Sequence, residues 1–198
     1  SQEVLAMFAR APFYMDEYKE FLDIKKVKGE KGYTTLEHTA IRPCLDCNGI
    51  WGGFIGEGSK TVLPSEAHAK ISMRLVPNQS NEKITRLFIE HFKKIAPDYV
   101  KVECRACHGG DGFLIPVSSE AYKAAAKGIE EVYGIEPVPS RGGGSIPILA
   151  DLQRILGIDP LLMGFGLERD TIHSPNESYL LSQLFRGMES ISLFYRYY

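Results

Sequence analysis

The 198-residue chain predicts an α+β first part followed by a section of an α/β domain. Three observations carry this. The stretch "HAKISMRLVP" alternates, with Ala69, Ile71, Met73 and Leu75 on one face and Lys70, Ser72 and Arg74 on the other. That is the period of a half-buried strand. It is followed at once by an amphipathic helix, "SNEKITRLFIEHFKKIAP". Later, a continuous apolar run, "PLLMGFGL", stands between helices, as a strand buried on both faces would.

Taken in order, Tyr14 to Val27 reads as a charged amphipathic helix, and "KGEKGYTTLEHT" as a polar loop. Gly49 to Gly58 holds too many glycines for a helix, and its Ile, Trp and Phe favour a strand. The alternating strand then runs to Pro77. Ser80 or Asn81 caps the next helix, whose stripe is Ile84, Leu87, Phe88, Ile89, Phe92 and Ile95. "DYVKVECRA" returns as a strand, with Val100, Val102 and Cys104 facing one way. Strand, strand, helix, strand predicts an antiparallel sheet with helices on one face.

The second part opens near Gly109–Gly112, where composition shifts. "SSEAYKAAAKGIEEVYG" is a helix begun by Ser118 or Ser119 and closed by Gly134. "RGGGSIPILADLQRILGID" is a glycine-rich loop running into a helix that ends at Gly157. "PLLMGFGL" is the buried strand, and a closing helix starts from Ser178.

The formal net charge of -2 leaves no electrostatic footprint for nucleic acid or an anionic membrane. No apolar run approaches the roughly 18 residues that span a bilayer. The start shows no secretory signal, and four cysteines are too few for a disulfide scaffold. These features predict a reducing, cytoplasmic setting. The chain opens on Ser1 rather than Met, as a fragment or processed form would.

Two Cys-x-x-Cys pairs stand out, Cys44/Cys47 and Cys104/Cys107, the second followed by His108. Cys-x-x-Cys-His is a haem-attachment pattern, but here it ends a strand and no second axial ligand is evident. Four thiolates could hold zinc if strand order brought the pairs together. The plainer reading is four free thiols on sheet positions. Arg74 offers a planar fork that suits a carboxylate. "RGGGSIP" joins glycine N–H groups, the Ser145 hydroxyl and a helix N-terminus, a combination that suits anions but lacks Walker spacing. His173 follows the apolar run, in a Pro/Asn loop with acidic neighbours, where strand-end loops carry ligands.

Five stretches in this order, "SKTVLP", "ISMRLVPN", "HGG", "RGGGSIP" and "IHSPNE", resemble the di-zinc metallopeptidases of the M20 family, in its cytosolic non-specific dipeptidase branch. The likeness covers about Asn48 to Tyr198. It implies that residues 1–110 are part of a dimerisation lid and residues 111–198 the C-terminal part of an α/β catalytic domain. It implies two zinc ions, with manganese as an alternative, a dipeptide substrate and a homodimer through the lid. His173 matches a zinc-ligating His, and Asp170 could orient its second nitrogen. Ser145 matches a substrate-binding Ser. Arg74 and Thr61 match lid residues that reach substrate across the dimer, and His108 a His near the active site. The family's His-x-Asp motif and its Glu-Glu pair, which holds the general base, have no counterpart here. The resemblance therefore implies a fragment of a zinc dipeptidase, inactive alone. The alternatives are a non-catalytic dimerisation module or a four-cysteine zinc module.

Overall fold

The computed structural model describes residues 2–142, 146 and 148–198. They form two compact units. One holds residues 13–112 with the described residues of 141–147; the other holds those of 1–12 together with 113–140 and 148–198.

Helix α1 (Gln2–Ala9) belongs to the second of these units; in the unit of residues 13–112 the first element is α2 (Met15–Phe21), with Asp16 and Glu17 in its first turn. It is shorter than the sequence predicts. Asp23 takes a left-handed φ of 51°, which ends a helix much as glycine would. The loop predicted at "TTLEHT" is instead helix α3 (Thr35–Ala40). A capping box starts it: the Thr34 N–H donates to Glu37 Oε2 at 2.6 Å, and the Glu37 N–H donates to Thr34 Oγ1 at 3.3 Å. The Arg42 fork then grips both oxygens of Glu30, at 2.7 and 2.8 Å, and lies 4.5 Å from the Tyr33 ring centre. That clasp ties the polar loop to the helix it precedes.

Strands β1 (Cys44–Gly52) and β2 (Ala67–Arg74) pair antiparallel, with Cys44 opposite Arg74, Asp46 opposite Ser72 and Trp51 opposite His68. The register slips between Cys47 and Gly49, leaving Asn48 as an extra residue. The slip matters because strand side chains alternate. It puts Trp51 on the same face as Cys44 and Asp46, against His68, Lys70, Ser72 and Arg74. Leu45, Cys47 and Ile50 take the other face with Met73, Ile71 and Ala69. The Trp51 and His68 rings stack at 5.0 Å.

The predicted Gly49–Gly58 strand starts earlier and stops at Gly52, because Gly53 turns out at φ 66°. "DYVKVECRA" forms no strand: among the described residues, β1 and β2 pair only with each other, and an alternating segment without a ladder partner stays irregular. The antiparallel sheet is thus two-stranded. Among the described residues, β1 lies against β2 and, in the other unit, α5 (Glu120–Tyr133) against α7 (Leu181–Tyr197). Helix α4 (Asn81–Ile95) forms as read. Ser80 Oγ accepts the Lys83 N–H at 3.4 Å, and Pro97 follows its end.

The other unit holds α1 (Gln2–Ala9), α5, α6 (Ile148–Leu156) and α7. Residues 2–12 belong here rather than with the residues that follow them. Phe8 is buried, and Arg10 meets Glu136 at 3.1 Å. Ala124, Ala125 and Gly128 give α5 a face of small residues. A Cβ at Gly128 would lie 3.1 Å from the Ser190 carbonyl oxygen, so a larger residue there would press on the α7 backbone. Ser119 and the left-handed Gly134 cap α5 as the sequence predicts. "PLLMGFGL" is no strand, for the same want of a partner among the described residues. Phe165 lies instead over Gly187 of α7, at 3.0 Å from the site a Cβ would occupy.

Candidate functional site

His173 stands in a loop between a 3₁₀ turn (Glu168–Asp170) and α7. Three non-glycine residues in six take left-handed backbone: Thr171 at φ 52°, His173 at 64° and Asn176 at 64°. Such residues persist only where their surroundings over-determine them. Here the bracing is dense. Ser174 N–H donates to the Thr171 carbonyl at 2.9 Å and Ser178 N–H to that of Asp170 at 2.9 Å. Thr171 Oγ1 donates to the Asn176 carbonyl at 3.2 Å. The loop holds an exposed imidazole on a fixed frame.

Asp170 is not oriented to serve that imidazole. It is 2 % exposed, and its Oδ2 accepts the Leu167 N–H at 2.7 Å. The carboxylate holds the turn that leads into the His173 loop. Among the described residues no hydrogen bond joins it to His173. Its contribution to His173 is made through the backbone.

Arg74 ends β2, opposite Cys44. His108 belongs to a segment that wraps the start of α4. Asp111 Oδ1 accepts the Asn81 N–H at 2.7 Å. A Cβ on Gly109 would collide with Asn81 Oδ1, and one on Gly112 would lie 2.9 Å from the Val76 carbonyl carbon. These glycines let the "HGGDG" backbone close onto both the helix start and the segment leaving β2. Arg74 and His108 thus lie on segments that converge at the N-terminal end of α4. Beside His108, Ala106 and Cys107 line an open groove of about 460 Å³ with Asn81, Thr85, Arg86 and Glu90. Thr61 is exposed in the loop between the strands. Ser145 lies outside the described residues. His173 belongs to one unit, and Thr61, Arg74 and His108 to the other.

The four cysteines are free. Cys44 donates to Asp46 Oδ2 at 3.1 Å and Cys47 to the Gly49 carbonyl at 3.4 Å. Burial and then the Asp46 hydrogen bond push the Cys44 thiol up, partly opposed by Arg74. Among the described residues no three of His, Cys, Asp and Glu gather to hold a metal ion. The four-thiolate zinc reading therefore has no assembled site, since β1 carries one pair and the irregular 98–107 segment the other. His173 fits a metal as a single exposed donor, and this chain's described residues do not complete a coordination shell around it.

The profile of peptidase family M20/M25/M40 matches residues 15–196. Cys-Gly metallodipeptidase DUG1 of Candida albicans is 35% identical over 168 residues, covering 82% of this chain and 34% of its own length. The Saccharomyces cerevisiae DUG1 is 31% identical over 198 residues, covering 98% and 41%. Among solved structures, the dipeptidase Dug1p of Saccharomyces cerevisiae superposes with a TM-score of 0.82 at 30% identity, over 100% of this chain and 42% of that one. Human carnosine dipeptidase 1 does so at 0.80 and 26%, over 98% and 42%. The chain spans about a third to two-fifths of the length of the curated relatives named here. No helix among the described residues is long and apolar enough to cross a membrane. The ordered motifs that end at the braced His173 loop and the match over residues 15–196 lead to one conclusion: the chain belongs to peptidase family M20/M25/M40.

Proposed function

We propose that this chain is a portion of a metal-dependent dipeptidase that acts in the cytoplasm. It supplies one metal ligand and several substrate-binding groups, and not the catalytic base. The observation that carries this reading is the His173 loop, an exposed imidazole on left-handed, hydrogen-bonded backbone, around which no three of His, Cys, Asp and Glu gather among the described residues. In this reading residues 1–110 serve as part of the lid and residues 111–198 as the C-terminal part of the catalytic domain. Neutral His173 would hold zinc, which when bound polarises a carbonyl and lowers the pKa of a bound water. Arg74 would meet the dipeptide's carboxylate with its fork. Ser145, His108 and Thr61 would orient the rest of the substrate.

The named relatives are Cys-Gly and β-Ala-His dipeptidases, which makes Cys-Gly and β-Ala-His the first substrates to try. The 198-residue chain, supplied with zinc, should hydrolyse neither. Loss of a general base alone costs about 10²–10⁴-fold in rate, and the other ligands are wanting as well. Chelator-sensitive hydrolysis by the purified chain would contradict the reading.

A second copy of the chain is the proposed partner of the lid. Both edges of the two-stranded sheet are without a ladder partner among the described residues, and unpaired edges template another strand. The strand connection adds exposed Ile55 and Leu63.

A further inference from the structure

We propose that Asp46 and Cys44 are positioning residues for the Arg74 guanidinium. The inference rests on the reading of Arg74 as the group that meets the substrate's carboxylate. It begins with register. Cys44 stands directly across from Arg74, and Asp46 across from Ser72, on one face of the hairpin. Directly opposed residues have Cβ atoms about 4.5–5.5 Å apart, and a diagonal neighbour remains within reach of a long side chain. Ser72, opposite Asp46, carries a short side chain, and Arg74 is its diagonal neighbour. Cys44 Sγ donates to Asp46 Oδ2 at 3.1 Å, and the Arg74 backbone and charge both act on that thiol.

The pairing from Cys44 to Cys47 lies ahead of the slip at Asn48, so this end of the hairpin keeps its register whatever the loop does. Farther along the same face lie Lys70 and the stacked Trp51 and His68. Asp46 is the acidic residue of that face, and the cations Arg74 and Lys70 flank it on the facing strand. A carboxylate so placed limits the directions a guanidinium takes, and ordering the fork in advance lowers what binding must later spend on it. The role is steric and electrostatic, not catalytic.

Two measurements test it. In the chain with Cys47, Cys104 and Cys107 replaced by Ser, Cys44 is the remaining thiol, and its alkylation by iodoacetamide is followed against pH. Asp46→Asn should move the midpoint down and Arg74→Gln should move it up, since each removes one of the opposed influences. An unmoved midpoint in both variants would overturn the placement. In the catalytically competent protein that carries this segment, Arg74→Gln and Asp46→Asn should each raise KM for Cys-Gly with kcat nearly unchanged, Asp46→Asn by roughly 3- to 10-fold. The Asp46→Asn effect should vanish in the Arg74→Gln background, because it acts through that side chain. Additive effects, or a KM that Asp46→Asn leaves unmoved, would overturn the positioning role while Arg74 keeps its own. If Arg74→Gln leaves KM unmoved although the thiol midpoints shift, the carboxylate reading of Arg74 falls, and the positioning role falls with it.

Discussion

At the scale of single residues, the chemistry divides between groups on display and groups turned inward. His173 is displayed by strained backbone, while Asp170, three residues earlier, is buried and holds the turn. The sequence marked His173 as a ligand through its motif and its place after an apolar run. It did not show that Asp170 faces the Leu167 amide rather than the imidazole, because which way a short side chain points depends on a turn geometry that composition does not encode. Ser190 is the opposite case. It is wholly buried on α7 against Gly128, and its hydroxyl has no hydrogen-bond partner among the described residues. A buried polar group left unpaired costs about 1–3 kcal/mol. Ser190→Ala keeps the close helix crossing and removes that cost. It should raise the midpoint of urea unfolding without changing the slope, whereas a lower midpoint would show that the hydroxyl is satisfied.

At the scale of elements, helices were more legible than strands, and the reason is locality. Helices α4 and α5 carry their own signals: Ser80 and Ser119 at the start, an apolar stripe within, Pro97 or Gly134 beyond. A strand is defined by a neighbour. "KISMRLV" found one in β1, but "DYVKVECRA" and "PLLMGFGL" have the right composition and no ladder among the described residues. Helix α3 has its own sequence signal: Thr34 and Glu37 spell a capping box, within a segment that otherwise reads as a polar loop. Its electrostatics give a pH expectation. Hydrogen bonds from the Thr34 backbone and side chain hold Glu37 below the usual carboxylate range, and the Arg42 hydrogen bond does the same for Glu30. A carboxylate depressed in the folded state contributes fully above its ordinary value near 4.5, and that contribution is lost as pH falls through the lowered one. The His38 and Ile41 amides, which bond back to Thr34 and Glu37, should therefore lose exchange protection on acidification below the ordinary carboxylate range. Thr34→Ala should lower that protection at neutral pH as well. Protection that stays level to below pH 3 in the wild-type chain would show that the box does not hold α3.

At the scale of the molecule, the account is of shared labour. The proposed metal ligand His173 belongs to one unit and Arg74, the proposed carboxylate-binding residue, to the other. If the lid pairs with a second copy and Arg74 acts across that pairing, two damaged proteins can repair each other. Mixing full-length His173→Ala with full-length Arg74→Ala should restore part of the activity that neither has alone, since each hybrid dimer can then hold one site with a sound ligand and a sound fork. Closed two-fold dimers are the commonest homo-oligomers. Absence of recovery, with subunit exchange verified by mass, would place Arg74 in its own subunit's site or outside catalysis.

The central claim is that His173 holds metal and Arg74 holds substrate. It is tested most directly by zinc content, determined by inductively coupled plasma mass spectrometry on the competent protein and its two single variants, with kcat and KM taken on the same samples. His173→Ala should lose bound zinc and activity together. Arg74→Ala should keep its zinc and lose substrate affinity, seen as a raised KM. Equal zinc content in the two variants, with the same kinetic defect, would contradict the account.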